Sequence, residues 1–239
     1  MAVPTMGIRV GFSSRHVRAA CLVALMSLPQ LVVATSFRLQ TITVVLDERD
    51  GRTDFNVTNT GSEPMLLLTK LQDVDSTPMS ANILVTPAVT RIDPGQSQLV
   101  HFMLKKGVKL EREYLLKASF EGVTQRADKG ARMTVRQQVG FILQPKSVPV
   151  EERPWKDLRV QVNGDSLILT NAGRHIVRLM PSIALQPKGV DLPLEHPYIL
   201  PGQRVSAAGA AVGGTTQIAI TPLSRYGFAQ AKAELTVAP

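Results

Sequence analysis

Two short stretches, Val57-Thr58-Asn59-Thr60-Gly61 and Leu169-Thr170-Asn171-Ala172-Gly173, share an Asn-x-Gly turn signal that directly follows a run of strand-forming residues. A second pair follows in the same order, Ile92-Asp93-Pro94-Gly95-Gln96 and Ile199-Leu200-Pro201-Gly202-Gln203. Both pairs are separated by about 110 residues, which is close to the size of one immunoglobulin-like sandwich. The chain of 239 residues is therefore predicted to contain two copies of one domain design.

The intervals between these motifs carry strand and hairpin signals. Asp50-Gly51 and Asn163-Gly164-Asp165 each join two runs of β-branched and apolar residues, which predicts two hairpins. A long strand is predicted from Ala131 to Leu143, and apolar and polar residues alternate over about nine of its residues. Since no segment carries a long helical period, the sequence predicts an all-β fold of two immunoglobulin-like β-sandwich domains.

A proline-containing segment separates the two halves. Pro145, Pro149 and Pro154 restrict the bending of the chain between Gln144 and Pro154 because each ring fixes its own φ angle. We predict an N-terminal domain over residues 35–145 and a C-terminal domain over residues 146–239, joined by this short linker.

The N-terminus has the pattern of an export signal. Three arginines and no acidic residue precede an apolar run over residues 19–34, which is shorter than the roughly 20 apolar residues of a membrane-spanning helix. We predict a cleavable signal peptide over residues 1–34, with cleavage after Ala34 or, as second choice, after Ser36. Cys21 leaves with this segment, so the mature chain is expected to be periplasmic, free of cysteine and without stable membrane insertion.

The composition excludes several classes of function. Lysine and arginine number 27 against 19 acidic residues, but the basic clusters lack the interleaved aromatic residues that stack on bases, so no nucleic acid partner is expected. The basic residues are interpreted as solvated faces or as groups that bind an acidic partner. His101, His175 and His196 lack metal-ligand spacing, and one cysteine cannot hold structural zinc. We therefore expect no metal, no cofactor and no enzymatic activity.

Four motifs in order resemble those of a known family. They are Thr86-Pro87 followed by Arg91-Ile92-Asp93-Pro94-Gly95, Glu111-Arg112-Glu113-Tyr114-Leu115, the long strand ending at Gln144-Pro145, and Arg225-Tyr226-Gly227. Together they resemble the PapD-like periplasmic chaperones of pilus and fimbria assembly, over roughly Phe37 to Val237. The resemblance implies two immunoglobulin-like domains in a boomerang-like arrangement, and the departures described below indicate a divergent branch.

The resemblance also implies a mechanism. Family members lend a strand to a pilin or fimbrial subunit that lacks one, and deliver that subunit to an outer-membrane usher. The side chains that would enter the subunit are those of the donor strand: Ala131, Met133, Val135 and Val139. Alternation by itself leaves open a second interpretation, in which these residues face their own sheet.

One departure concerns the subunit's C-terminal carboxylate. In the family, two basic residues in the cleft between the domains bind this group, and the aligned positions here are Thr43 and Gly140, which carry no charge. Arg38, Arg136 and Lys146 are the neighbouring basic residues that could replace them.

A second departure concerns the contact between the domains. Gln144 stands where the family has an arginine, and Arg225 stands where it has an aspartate. Because Glu113 and Arg225 carry opposite charges, we hypothesise that they pair directly across the domain interface.

An alternative function is a structural or adhesive immunoglobulin-like surface protein of a pilus system. A pilin would be expected to show one incomplete sandwich with an N-terminal extension, whereas this sequence predicts two domains and a mature N-terminus that soon enters a strand. We also expect that the free chain can self-associate, because an uncovered apolar strand edge invites pairing.

Overall fold

The first half of the chain folds into a sandwich of two β-sheets. The computed structural model describes residues 36–124 and 134–238, and the statements below concern those residues. The strands of the first half are β1 (Phe37–Leu39), β2 (Thr43–Asp47), β3 (Arg52–Asn59), β4 (Met65–Asp73), β5 (Ile83–Thr86), β6 (Val89–Ile92), β7 (Ser97–Leu104), β8 (Tyr114–Thr124) and β9 (Thr134–Gln144), with one turn of 3-10 helix at Ser80–Asn82. One sheet has the order β1-β3-β7-β5 and the other β2-β9-β8-β4-β6.

The second half forms a further β-sandwich after a 3-10 turn at Pro154–Asp157. Its strands are β10 (Leu158–Asn163), β11 (Ser166–Asn171), β12 (Val177–Gln186), β13 (Val190–Pro193), β14 (Tyr198–Ile199), β15 (Arg204–Ala208), β16 (Gln217–Pro222) and β17 (Ala233–Ala238). Their order is β13-β12-β16-β17-β10-β11-β15, and β14 pairs with β12. This architecture confirms the predicted fold class.

Each half has its own hydrophobic core. In the first half, the rings of Phe55 and Phe120 stack at 5.0 Å, and those of Phe102 and Phe141 meet edge to face at 5.1 Å. The second core is built mainly from aliphatic side chains of β11, β12 and β16, such as Leu179. The two cores lie on either side of the predicted linker, while the exact domain bounds stay a prediction.

The repeated Asn-x-Gly motif corresponds to a repeated hydrogen-bond network. The buried Asn59 side chain donates through Nδ2 to the carbonyls of Glu63 (2.8 Å) and Ile92 (3.0 Å), and its Oδ1 accepts from the Gly61 N–H (2.9 Å). The Asn59 carbonyl also accepts from the Gly95 N–H at 3.0 Å. These bonds tie the Asn-x-Gly turn to the Pro-Gly turn, which are the two motifs that echo in the sequence.

The same network recurs around Asn171 in the second half. Asn171 Nδ2 donates to the carbonyls of His175 (2.8 Å) and Ile199 (3.0 Å), and Oδ1 accepts from the Gly173 N–H (3.0 Å). The Gly202 N–H donates to the Asn171 carbonyl at 2.9 Å. The repeated motifs in the sequence therefore correspond to the same hydrogen-bond network in each sandwich, built around one buried asparagine side chain per domain.

The two predicted hairpins have different outcomes. Asn163-Gly164-Asp165 joins the antiparallel pair β10 and β11, with Asn163 opposite Ser166, as predicted. Asp50-Gly51 also makes a tight turn, and Gly51 has a φ of +65°, but it does not form a hairpin. Its two strands enter opposite sheets, because β2 pairs with β9 while β3 pairs with β1 and β7.

Neither 3-10 turn in the described ranges has the length that a membrane-spanning helix needs, and no other helix occurs there. The described residues also contain no group of three or more histidine, cysteine or acidic side chains placed to hold a metal ion.

Removal of the Asn59 amide is expected to destabilise the first sandwich strongly. Asn59→Ala removes the partners of the buried Ile92 carbonyl, the partly buried Glu63 carbonyl and the partly buried Gly61 N–H, which should lower the free energy of unfolding by about 3 kcal/mol. Chemical denaturation of the mature chain measures this. Asn56→Ala, on the same strand and without a side-chain hydrogen bond among the described residues, is the matched control, and an equal loss in both variants would contradict the assigned role.

Candidate binding edge and interdomain cleft

Strand β9 has one edge that is only partly covered. On one side it pairs with β8 along its length, from Val123 opposite Thr134 to Tyr114 opposite Leu143. On the other side β2 pairs with it only from Gly140 onward. Among the described residues, the edge from Thr134 to Val139 therefore has no partner strand, and it is about 20 Å long. Unpaired N–H and C=O groups on such an edge can accept another strand.

The two faces of β9 differ in burial. Thr134, Arg136 and Gln138 on one face are exposed. On the other face Val135 is half-buried against the end of the first core, and Val139 is 8% exposed and belongs to that core. The alternation of apolar and polar residues thus predicted the two faces of β9 correctly. Val139, however, is already buried in the core of the first domain. This corrects its assignment as a donor side chain. Ala131 and Met133 lie outside the described residues.

The two expected anchor positions lie side by side. Thr43 is the first residue of β2, and it pairs directly with Gly140 where β9 gains its second neighbour. The Thr43 side chain is 2% exposed, and the Gly140 N–H donates to the Ile42 carbonyl at 3.3 Å. The two aligned positions are therefore neighbours in the sheet, and their role in holding a carboxylate stays a prediction.

A basic side chain reaches this pair from the second half. Arg178, near the start of β12, donates from Nη1 to Thr43 Oγ1 at 2.8 Å and to the Arg225 carbonyl at 3.1 Å. Burial lowers the pKa of Arg178 from its usual value. Sequence reasoning missed this residue because it lies in the other domain and outside every motif that was compared.

The three basic residues named as substitutes have other surroundings. Arg136 pairs with Glu121 at 2.7 Å, and Lys146 pairs with Glu48 at 3.0 Å. Arg38 is exposed on β1, which belongs to the opposite sheet. Side-chain atoms of Thr43 and Arg178 are instead the atoms nearest to the position that a Cβ at residue 140 would take.

The hypothesised ion pair between Glu113 and Arg225 is not formed. Glu113 Oε2 accepts from the Ile176 N–H at 2.8 Å, whereas Arg225 Nη2 donates to Gln144 Oε1 at 3.0 Å. Gln144 itself is fully buried, and its Nε2 donates to the Val148 carbonyl at 2.7 Å. The neutral Gln144 thus supplies the acceptor that Arg225 uses, and both Glu113 and Arg225 still bond across the interface.

Glu113 is a buried carboxyl group in this interface. Burial raises its pKa above 4.5, while the hydrogen bond from the Ile176 N–H and the electrostatic contributions of His175 and Arg225 offset part of that effect. A cavity of about 350 Å³ lies here and is lined by Glu113, Arg178 and Arg225 among others.

Apolar contacts complete the interface between the halves. Leu115 and Ile142 from the first half form one buried cluster with Ile176 and Leu200 from the second. Burial of four such side chains stabilises the contact of the two domains. The cleft therefore combines an apolar floor with buried groups of both charges.

These features define a class: two immunoglobulin-like sandwiches joined by a linker, with an open strand edge that ends at a basic cleft. Residues 36–149 match the family described as "Pili and flagellar-assembly chaperone, PapD N-terminal domain". A curated relative, the "Uncharacterized fimbrial chaperone YhcA" of Escherichia coli (strain K12), is 33% identical over 199 residues, which cover 82% of this chain and 88% of the relative.

Solved structures share the fold at lower identity. The E. coli chaperone DraB is 20% identical with a TM-score of 0.71, and the match covers 85% of this chain and 98% of that chain. A chain of the Salmonella enterica SafA pilin in complex with the SafB chaperone is 18% identical with a TM-score of 0.71, covering 85% and 97%. The protein belongs to the PapD-like fimbrial chaperone family of the chaperone–usher pathway. Chaperones of pilus assembly are not enzymes, in agreement with the prediction from the sequence.

The buried Glu113 should make stability depend on pH. Folding raises its pKa above 4.5, so between the pKa of the unfolded chain and that of the folded chain only the folded chain keeps the proton. The stability contributed by this group therefore falls as the pH rises through the interval between these two pKa values. Glu113→Gln removes the effect. We expect the variant to gain stability relative to the wild type as pH rises above the usual pKa of a glutamate and through the raised pKa of Glu113.

Urea denaturation at a series of pH values measures this difference. Glu111→Gln, which removes an exposed carboxylate two residues earlier, is the matched control for the loss of one surface charge. A difference between wild type and Glu113→Gln that stays constant with pH would contradict the account.

Proposed function

We propose that this chaperone binds a pilus or fimbrial subunit by donor-strand complementation in the periplasm and delivers it to an outer-membrane usher. The observation that carries the proposal is the open edge of β9 from Thr134 to Val139. Donor-strand complementation is a recognised form of strand addition, in which main-chain hydrogen bonds give affinity and alternate side chains fill pockets.

A groove beside this edge supports the proposal. A cavity of about 750 Å³ is lined by residues of the 37–42 segment, by Gln137 to Val139, and by Phe228. Ile42 is 57% exposed and Phe228 is 68% exposed, so two large apolar side chains face solvent close to unpaired backbone groups. Such a combination favours burial by a partner.

The donor side chains are assigned to Val135 and the two apolar positions before it, Met133 and Ala131. Val135 is only half-buried at the end of its own core, so it retains apolar surface that a subunit could cover. Full burial of each large apolar side chain contributes about 1.5–3 kcal/mol. Val139 is expected to remain in the first core, where it supports β9 from below.

The comparisons support a subunit as the partner. The solved structure that contains SafB is a complex with the SafA pilin, so a protein of this fold is described with a pilin bound. Membership in the fimbrial chaperone family also favours this function over that of a structural or adhesive surface protein. Self-association of the free chain through β9 stays a prediction.

We also propose that the chain is exported, because its N-terminus contains arginines followed by an apolar run over residues 19–34. An outer-membrane usher is proposed as the second partner because the family belongs to the chaperone–usher pathway.

A charge on the inward face of β9 should prevent subunit binding. Val135→Glu would place a carboxylate in the subunit's apolar groove, and we expect the yield of a one-to-one complex to fall at least about a hundredfold. The measurement is co-expression with the pilin-like subunit encoded beside this gene, followed by size-exclusion chromatography of the periplasmic extract.

Thr134→Glu is the matched control, because it adds the same charge to the exposed face of the same strand. Thermal unfolding of both variants without the subunit shows whether each variant still folds, and so distinguishes a loss of subunit binding from a loss of folding. An undiminished complex with Val135→Glu, or a chain that never binds the subunit, would overturn the donor-strand proposal.

The signal peptide has its own test. The intact mass of the protein recovered from the periplasm should correspond to a chain that begins at Thr35. Ala34→Arg should leave the precursor uncleaved, whereas Lys232→Arg, a conservative change far from the site, should be processed normally. Recovery of the wild-type chain with residues 1–34 attached would contradict the prediction.

A further inference from the structure

The residues just before β2 match the open edge of β9 in length and register. Residues 37–42 precede β2, and the open edge, from Thr134 to Val139, also has six residues. Since β2 runs parallel to β9, an extension of β2 toward its N-terminus would pair the two segments one to one, with Ile42 opposite Val139. The first hydrogen bond of that extension is present, because the Gly140 N–H donates to the Ile42 carbonyl at 3.3 Å.

Residues 37–42 instead join the opposite sheet. β1 pairs antiparallel with β3 over three residues. One residue further, the Gln40 N–H donates to the Asn56 carbonyl at 3.1 Å, and Gln40 Oε1 accepts from the Asn56 N–H at 2.9 Å. The segment nevertheless stays in contact with β9, since Gln137 Nε2 donates to the Phe37 carbonyl at 2.8 Å. Its backbone groups therefore have two alternative partners within reach, β3 and the open edge of β9.

Phe37 occupies a shaped position in the first core. It is 5% exposed, and its ring lies against Gly122 of β8. A Cβ at residue 122 would come within 2.9 Å of Phe37 Cδ1 and within 3.2 Å of Met65 Sδ, so glycine is the residue that leaves room for the ring. Leu39, which is half-buried, packs against the same core. Both apolar side chains of β1 are thus buried while β1 pairs with β3.

The alternation of side chains opposes the pairing of this segment with β9. Residues opposite each other in a sheet point to the same face, and Val44 and its partner Phe141 both lie in the first core. In an extended β2 the even-numbered residues would point into that core, whereas Phe37 and Leu39 would point to the outer face. Both arrangements satisfy backbone groups of the segment, so the burial of these two side chains decides between them.

We propose that Phe37 and Leu39 are positioning residues that keep the edge of β9 open by holding residues 37–42 on β3. Without their apolar side chains, the segment pairs with Thr134 to Val139 as a continuation of β2 and covers the edge that a subunit would use. Ile42, which is 57% exposed, becomes buried in that arrangement. The inference rests on the proposed function and identifies what makes the binding edge available.

Alternate N–H groups of β9 point to the open edge. Successive residues of a strand direct their N–H groups to opposite sides, and the Gly140 N–H donates toward β2. The N–H groups of Arg136 and Gln138 therefore point to the open edge, while those of Val135 and Gln137 point to β8. A strand that covers the edge protects the first two amides from hydrogen exchange and leaves the other two unchanged.

The test compares the mature wild-type chain with a variant that carries both Phe37→Thr and Leu39→Thr. Threonine keeps the preference for strands and removes the large apolar side chains. Amide hydrogen exchange of the free proteins, resolved by residue with NMR, is the first measurement. We expect the Arg136 and Gln138 amides to exchange at least about tenfold more slowly in the variant.

Subunit binding is the second measurement. We expect the yield of the complex in the co-expression described above to fall at least about tenfold in the same variant, because the binding-competent fraction falls with the covered edge. Val100→Thr is the matched control, since it also places a threonine in the first core but lies on β7. It should leave both the exchange of β9 and the yield of the complex unchanged.

A disulfide separates the position of the segment from the stability of the core. Arg38 and Thr58 lie directly opposite each other in the pairing of β1 with β3. Arg38→Cys and Thr58→Cys, added to the double variant, hold residues 37–42 on β3 when oxidised. Cys21, the one cysteine of the sequence, belongs to the predicted signal peptide. Oxidation should restore fast exchange and the complex, and reduction should abolish both.

Three outcomes would overturn the proposal. One is unchanged exchange at Arg136 and Gln138 in the folded double variant, and another is slower exchange that the disulfide does not reverse. The third is faster exchange along all of β9, which would assign Phe37 and Leu39 to stability alone. If the double variant does not fold, Leu39→Thr by itself must slow the same two amides by about twofold, and no change there overturns the proposal as well.

The exchange measurement uses the free chain, so it is independent of the donor-strand proposal. If the variant covers its edge but the wild-type chain forms no complex that Val135→Glu weakens, the donor-strand proposal falls and the role of Phe37 and Leu39 stands. If the complex forms as proposed but β9 exchanges equally in both proteins, the role of these two residues falls and the donor-strand proposal stands.

Discussion

The point at which β2 begins to pair with β9 determines most of what this molecule can do. The pairing of Thr43 with Gly140 closes the sheet on the side of the second domain and leaves the edge from Thr134 to Val139 open. A pairing that began six residues earlier would cover that edge and remove the binding surface. If the pairing of β2 with β9 began later in the sequence, unpaired backbone groups would face the cleft, where Arg178 now contacts Thr43. The register between β2 and β9 therefore determines how long the open edge of β9 is and where it ends.

The two sandwiches provide a rigid frame for this edge. Asn59 and Asn171 repeat the same set of hydrogen bonds, so each domain is closed by a buried amide that joins two turns. The interface is built differently, with apolar contacts around Ile142 and Ile176 and with hydrogen bonds made by the buried Glu113 and by Arg225. Each domain thus has its own core and its own closing amide, whereas the cleft contains a buried carboxyl group whose pKa is raised.

Sequence reasoning predicted the parts of this structure that depend on local patterns. The echo of Asn59 in Asn171 predicted the duplication, and the alternation along β9 predicted its two faces. It failed where long-range contacts decide the outcome. The turn at Asp50-Gly51 gives no sign that its strands enter opposite sheets, and Arg178 lies 135 residues from Thr43 in the chain. Likewise, alternation cannot show that Val139 fills its own core, because that depends on which strands cover it.

Amide hydrogen exchange of β9, compared between the free chaperone and its complex with the subunit, tests the central claim most directly. The account predicts that the complex protects amides between Thr134 and Val139, and that the added protection stops at Gly140, where β2 already pairs with β9. Unchanged exchange over Thr134 to Val139 in a stable complex, with protection at another surface, would contradict it.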